Sequence, residues 1–375
     1  MEALSQRQAL MILNALPNIG PITTRRLLAA FDGDPARALA ASEIQLKKIQ
    51  GIGPVIAETV AHWRNHFDLE KEETSLAKIG GTFLIAEDPH YPSLLRDIHD
   101  PPVGLYCLGE YLGEDKAVSL VGSRRATLYG IAVAKKLAGD LARLGFWIVS
   151  GGARGIDLAA HEGALESGGK TAVVLGCGID IIYPPEHLDL FRRIAGQGAV
   201  LSEFPLGRGA DRQTFPMRNR LIAGMSRATV VIESDVNGGS MITARQAIDD
   251  GREVFAVPGR IDQASSRGCH KLIREGEAKL LTGVEDILEE WKFTGQLEIK
   301  MDQPPLASPA SAEALAGLGE DAKNIFALLT GGKTAFPDEL ATQTDLPSAR
   351  ISASLLLLEL KRLVVKRADG RFEAR

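Results

Sequence analysis

Over roughly the first 75 residues apolar positions recur three and four apart, the spacing of a helix face, and no run alternates as a half-buried strand would. Turn residues interrupt the pattern at Asn18-Ile19-Gly20-Pro21-Ile22 and at Gly51-Ile52-Gly53-Pro54-Val55. This predicts a small helical domain over 1–78 with two tandem hairpin-like turns. From about 83 to 293 the pattern changes. Short β-branched or apolar runs at 83–86, 103–108, 117–121, 146–150, 171–175, 198–201, 228–232 and 253–257 alternate with amphipathic helical stretches. Such alternation predicts βαβ units and an α/β fold, a Rossmann-like, doubly wound and mostly parallel sheet over 79–294. Residues 295–318, including Gln303-Pro304-Pro305-Leu306-Ala307-Ser308-Pro309-Ala310, have too few periodic apolar positions to pack and read as a linker. Over 319–375 a compact pattern resumes: a helix near 320–330, one from Pro337 through Thr342, a longer one from about Pro347 to Leu363, then two short strands about the turn Ala368-Asp369-Gly370. Three helices and a two-stranded ribbon predict a winged-helix domain.

A length of 375 residues agrees with two to three domains, and 45% hydrophobic with 24% charged residues is ordinary for a soluble globular chain. Asp and Glu total 48 against 43 Lys and Arg, so a formal charge of −5 argues against coating nucleic acid by bulk charge. The cations are unevenly chosen, 27 Arg to 16 Lys, and Arg's planar fork is the better bidentate partner for phosphate. Locally the sign reverses: 208–227 and 346–375 each carry +4, which leaves −13 on the remainder. Cys107, Cys177 and Cys269 form no CxxC pair and signal neither a disulfide framework nor a zinc ribbon, so a reducing cytoplasm is expected. The N-terminus lacks the basic start and apolar run of a signal peptide, and no apolar stretch approaches the ~18 residues of a membrane span, so membrane insertion is not expected.

In an open parallel sheet the ligand crevice lies beyond the carboxyl ends of the strands. The unusual residues stand there. The run at 117–121 leads into Gly122-Ser123-Arg124-Arg125, that at 146–150 into Gly151-Gly152-Ala153-Arg154-Gly155-Ile156-Asp157, and that at 171–175 into Gly176-Cys177-Gly178. The run at 228–232 is followed by Glu233 and Asn237-Gly238-Gly239-Ser240, and that at 253–257 by Pro258-Gly259-Arg260. Glycines let main chain approach a ligand, and the helix N-termini that follow offer N–H groups to an anion, so the set suggests a phosphate cradle. Any one of these turns serves equally well as a plain connection. No GxGxxG follows the first strand and no GxxxxGK[ST] occurs, so neither a dinucleotide nor a P-loop site is indicated. Within 208–227, Phe215 lies between Arg212 and Arg218-Asn219-Arg220. Cations interleaved with an aromatic suit single-stranded nucleic acid, where charges track phosphates and a ring stacks on a base. The competing reading makes Phe215 core and pairs Arg218 or Arg220 with Glu203 or Glu233.

Val121-Gly122-Ser123-Arg124, the Ser150 to Asp157 segment with His161, Tyr183-Pro184, Ser202-Glu203-Phe204-Pro205, Phe215-Pro216-Met217-Arg218-Asn219-Arg220, Gly239-Ser240-Met241-Ile242-Thr243-Ala244 and Phe255-Ala256-Val257-Pro258-Gly259 together resemble the DprA/Smf family, in its order. The resemblance spans the central domain nearly end to end and the flanking domains loosely. It implies a non-enzymatic DNA-processing protein of natural transformation that binds and protects incoming single-stranded DNA and loads the RecA recombinase, without catalytic residues, metal or cofactor. It further implies a homodimer. The DNA-binding residues it points to are Gly122, Ser123, Arg124, Gly152, Arg212, Phe215, Arg218 and Asn219. Arg218 and Asn219 belong to an RNR element that can shape the loop as well as touch phosphate. His187 and His270 stand where the family usually has Asn.

His161, four residues after Asp157, reads as a structural histidine rather than half of a metal pair, and His62 and His66 as solvated on one helix face. The hairpins near Gly20 and Gly53 resemble helix-hairpin-helix (SAM-like) turns that hold a phosphate by main-chain N–H groups, or else serve only as scaffold, and Glu70-Lys71-Glu72-Glu73 reads as a solvated helix end. Leu355-Leu356-Leu357-Leu358 implies a buried third helix in the winged domain, with Ser348, Arg350, Ser352 and Lys361 outward and Lys366 to Arg371 as a wing. The apolar set Leu272, Ile273, Leu280 and Leu281 is either a dimer face or core. Two rival functions stay open: a nucleoside-monophosphate-cleaving enzyme, whose PGGxGTxxE loop would fall at Asn237 to Arg245 without its Glu, and a winged-helix regulator.

Overall fold

The computed structural model describes residues 4–112, 116–293, 318–330, 333–344, 346–361, 363–367 and 370–374. The chain divides into two compact units, Met1–Leu297 and Glu298–Arg375.

The first unit begins with α1 (Gln6–Ala15), α2 (Pro21–Ala30), α3 (Pro35–Ala40), α4 (Glu43–Leu46), α5 (Pro54–Ala61) and α6 (Leu69–Lys78). Their starts are local chemistry: Ser5 with Gln8 and Ser42 with Gln45 form capping boxes, Asp34 and Asp68 accept from main-chain N–H groups, and α2 and α5 open on Gly-Pro. Ile12, Leu13, Leu27, Leu46 and Val60 close a core of their own. Leu10 and Met11 of α1 and Leu76 of α6 instead join Phe83 and Tyr106, so the helices also share core with the sheet. The acidic tract is not all solvated: Glu72 is buried, and its Oε1 accepts from the Leu206 N–H at 2.9 Å. Burial raises its pKa.

The sheet follows, with β1 (Thr82–Leu84), β2 (Leu105–Gly109), β3 (Ala117–Val121), β4 (Trp147–Ser150), β5 (Thr171–Leu175), β6 (Ala199–Ser202), β7 (Ala228–Val231), β8 (Glu253–Ala256) and β9 (Lys279–Leu280) in the order β1-β2-β6-β5-β4-β3-β7-β8-β9. From β6 to β9 all pairings are parallel, while β1 and β2 form an antiparallel edge. Eight strands fall on the eight apolar runs; β9, two residues long, has no periodic signature. Pleating sends Val118 and Leu120 toward α7 (Leu128–Arg143) and α8 (Ile156–Glu166), and Ala117 and Val121 toward α10 (Thr214–Gly224) and α11 (Gly239–Asp249). Helices α9 (Leu188–Gln197), α12 (Arg267–Arg274) and α13 (Val284–Phe293) complete the two layers. Leu272 and Leu281 are buried and Ile273 packs against the core, so of the four residues offered as a dimer face only Leu280 is exposed.

The second unit contains α14 (Glu320–Leu329), β10 (Thr334–Ala335), α15 (Pro337–Thr344), α16 (Ser348–Leu360), β11 (Val364–Lys366) and β12 (Phe372–Ala374). Its antiparallel sheet has three strands, β10-β12-β11, rather than the expected two, because the short β10 adds itself to β12. Ile351, Leu355 and Leu358 of α16 are buried, but Leu356 and Leu357 are 57% and 49% exposed. With 3.6 residues per turn, four consecutive leucines cannot share one face. The linker apart from Leu318 lies outside the described residues, as do Arg362, Arg375 and the wing positions Ala368 and Asp369. Among the described residues no helix is long and apolar enough to cross a membrane.

Candidate nucleic-acid interface

The chain leaves β3 for β4 on one side and β7 for β8 on the other, so the adjacent carboxyl ends of β3 and β7 frame a crevice at the switch point. Three turns are stacked there. The Ser123 N–H donates to the Glu233 carbonyl at 2.7 Å, and the Ile156 N–H donates to the Ser123 carbonyl at 3.2 Å. A Cβ on Gly122 would come within 2.6 Å of the Ile156 side chain, and Gly155, at φ +79°, would collide with the Ser123 carbonyl. These glycines let the turns touch, and the contact aims Arg124 outward.

The expected row of open helix ends is only partly present. At the start of α7 the Glu233 carboxylate accepts from the Thr127 N–H at 2.8 Å and its hydroxyl at 2.6 Å, so a side chain of the protein already holds that end. Near the start of α8, Asp157 accepts from the Ala153 N–H at 3.3 Å. The start of α11 has no side-chain cap, and Gly238, Gly239 and Ser240 line the crevice.

The cavity there has a volume of about 390 Å³ and is lined by seven of the eight predicted site residues: Gly122, Ser123, Arg124, Arg212, Phe215, Arg218 and Asn219. The half-buried Phe215 ring is central. The Arg124 guanidinium lies 5.0 Å from its centroid and the Tyr183 ring 5.6 Å away at 44°. Arg124 and Arg212 are exposed, and neither is ion-paired among the described residues. The Asn219 Nδ2 donates to the Gly239 carbonyl at 3.4 Å and ties α10 to the start of α11. Gly152 does not line the cavity. At φ +67° it faces Val173 and Phe191, and its carbonyl is 3.0 Å from the His187 Nδ1.

The other arginines of the basic segment are committed elsewhere. Arg218 is buried, donating to the Gly151 carbonyl at 2.6 Å and to the Val174 carbonyl; burial pushes its pKa down to about 10. It faces Asp157, whose pKa burial raises against the opposing pull of that guanidinium. Gly151 has no Cβ because the Arg218 guanidinium occupies that space. Arg220 pairs with Glu203 at 2.5 Å and Asp100 at 3.5 Å, and Arg208 with Asp211 at 2.5 Å. Phe215 is thus a cavity residue, while Arg220 follows the structural reading. Tyr183, beside Phe215, is a member of the site that the sequence presented only as part of a Tyr-Pro motif.

The histidines and the enzyme alternative are placed by the same geometry. The His161 Nδ1 is 2.7 Å from the Thr171 hydroxyl, and burial pushes the ring's pKa down to about 3, so it is neutral. The His270 Nε2 lies 3.0 Å from the Gly259 carbonyl. His62 and His66 are exposed but do not share a helix, since α5 ends at Ala61; the His62 Nε2 is 3.2 Å from Glu43. Arg245, at the register where a cleaving enzyme would place its Glu, pairs with Glu277 at 3.1 Å.

Two family models match the chain: DNA recombination-mediator protein A over residues 82–292 and the DprA winged helix domain over 309–370. A curated relative, protein Smf of Synechocystis sp., is 34% identical over 95% of this chain and 96% of its own length. The chain belongs to the DprA/Smf family. Its C-terminal unit carries that family's winged helix, and it is a DNA-processing protein. The DNA processing protein DprA of Streptococcus pneumoniae is 43% identical over 55% of this chain and 73% of the relative. The X-ray structure of DprA from S. pneumoniae superposes with a TM-score of 0.64 at 32% identity, covering 77% of this chain and 99% of that one. A Helicobacter pylori DNA processing protein A, whose structure is described as giving insight into its single-stranded DNA binding mode, superposes at 0.52 with 31% identity, over 57% of this chain and 96% of that one.

Proposed function

We propose that this chain is a non-enzymatic, cytoplasmic single-stranded DNA-binding protein that protects incoming DNA and loads RecA onto it in transformation or recombination, acting as a homodimer. The observation that carries the reading is the Arg124 guanidinium over the Phe215 ring, with the unpaired Arg212 on the same cavity and the uncapped start of α11 opposite. A base stacks on the ring while cations and main-chain N–H groups hold flanking phosphates, which needs no base-specific edge. The binding mode named for the H. pylori relative supports the same assignment. Gly122 and Ser123 shape the turn that presents Arg124. Arg218 and Asn219 serve the site by fixing its walls, while Gly152 packs against Val173 and Phe191 away from the cavity. The proposed boundaries, 1–78, 79–294, 295–318 and 319–375, give the second domain the whole crevice.

The test is anisotropy of labelled oligo-dT at moderate salt. Arg124→Ala and Arg212→Ala are expected to weaken binding about tenfold each with an unchanged melting temperature, and log affinity to fall linearly with log salt. Unchanged affinity overturns the site assignment. RecA loading is tested by strand exchange on protein-coated single strands, and the homodimer by light scattering.

A further inference from the structure

Beside the crevice, on its β8 side, the carboxyl edge of the sheet carries three large apolar side chains in the open: Leu128 at 86% exposure, Tyr129 at 52% and Ile261 at 92%. Leu128 and Tyr129 form the first two positions of α7, directly after the Arg124-Arg125 turn, and Ile261 follows β8. Tyr129 does not dangle. Its hydroxyl donates to the Pro258 carbonyl at 3.1 Å, which fixes the ring along the rim between the exits of β3 and β8. An exposed aromatic with a pinned orientation loses little conformational freedom when a flat ligand lands on it. Arg124 and Arg125 are both exposed, and neither forms an ion pair among the described residues, whereas Arg260 in the β8 turn is held by Asp262 at 2.7 Å. Free positive charge therefore stands in the turn that leads into Tyr129, and Arg124 of that turn also lines the crevice.

We propose that Tyr129 is a second base-stacking platform, and that the turn bearing it carries a single strand out of the crevice toward the exit of β8. This rests on the single-strand reading above. The occupant follows from charge and continuity. Two exposed cations without ion pairs among the described residues precede the aromatic in the same turn, and one of them, Arg124, already lies over the Phe215 ring of the crevice. A second copy of the chain meeting this patch across a two-fold axis would set like charges against each other.

The test uses the full chain, a dT oligomer of about six nucleotides that fills the crevice alone, and one of about twenty that reaches the rim. Tyr129→Ala is expected to weaken the long oligomer about tenfold and leave the short one unchanged. Tyr129→Phe, which keeps the ring but not the hydroxyl that fixes it, loses less than Ala on the long oligomer and nothing on the short one, and Tyr129→Leu behaves as Ala does. Because the ring is uncharged, Tyr129→Ala leaves the slope of log affinity against log salt as it was, whereas Arg125→Ala reduces it by about one. Long oligo-dT carrying 5-iodouracil crosslinks to Tyr129. Wild-type protein that binds neither oligomer overturns the single-strand reading itself. Long-oligomer binding indifferent to Tyr129→Ala, or equal losses on both lengths, overturns the second platform alone. A change in light-scattering mass on Tyr129→Ala without a crosslink overturns it in favour of a contact between copies.

Discussion

The crevice segment 208–227 and the C-terminal segment 346–375 carry the same net charge, +4, yet they offer it differently. Near the crevice, pairing with Asp100, Glu203 and Asp211 and burial of Arg218 remove three arginines from contact, while Arg212 stays open beside the Phe215 ring. In the winged helix three described arginines are each engaged: Arg350 meets Asp321, Arg367 meets Glu373 at 3.1 Å, and the Arg371 guanidinium lies 4.7 Å from the Phe336 centroid. What matters for a polyanion is how many cations converge without acid partners on one concave place. The first segment leaves Arg212 there, beside Arg124; the described arginines of the second each have a partner of their own.

The contrast breaks most severely at Arg218. Arg218→Ala removes the donor to two main-chain carbonyls and leaves Asp157 buried without its counter-charge. A loss of about 3–5 kcal/mol in urea unfolding is expected, with oligo-dT binding lost as a consequence. A stably folded variant that binds normally refutes the wall role.

Arg220→Ala comes next, and pH sharpens it. The Glu203 carboxyl titrates above its ordinary range because it is buried, with Arg220 as the opposing influence. A carboxyl with a raised folded pKa favours the folded state when protonated, so its cost is absent below the ordinary Glu range and grows as pH rises through the folded value. Arg220→Ala is expected to melt well below wild type at neutral pH and to recover on acidification, and adding Glu203→Gln to remove that recovery. Differential scanning calorimetry across pH decides it.

Phe215→Ala acts on contact rather than fold. Oligo-dT affinity falls by about 1–3 kcal/mol, and because Phe215 is only half buried the melting temperature stays near wild type. The smallest effect is at the other pole: Arg350→Ala, which removes an exposed pair with Asp321, shifts stability by under about 1 kcal/mol and oligo-dT affinity by no more than about twofold. A larger loss at Arg350 than at Phe215 would reverse the comparison.

Much of this was legible in the sequence, and the rest was hidden for physical reasons. The eight longer strands betray themselves as apolar runs, whereas the two-residue β9 and β10 are too short to have a period. The glycines, Arg124, Arg212 and Phe215 stand out by type and position. The fate of Arg218 and Arg220 does not, because the groups that engage them are Gly151 and Val174 at the ends of β4 and β5, Glu203, and Asp100 far earlier in the chain. Glu72 looked solvated for the same reason: its partner is the Leu206 N–H, more than a hundred residues away. Cations are visible in a sequence, but the acids and carbonyls that claim them are not.

The Glu233 carboxylate at the start of α7 has one more implication. A helix end that grips a phosphate through fixed main-chain N–H groups demands that phosphate at one point in space. With that end satisfied internally, the attraction left at the β3 side of the crevice is borne by Arg124, whose long side chain can swing. A ligand whose curvature changes from one stretch to the next is then tracked rather than forced into register.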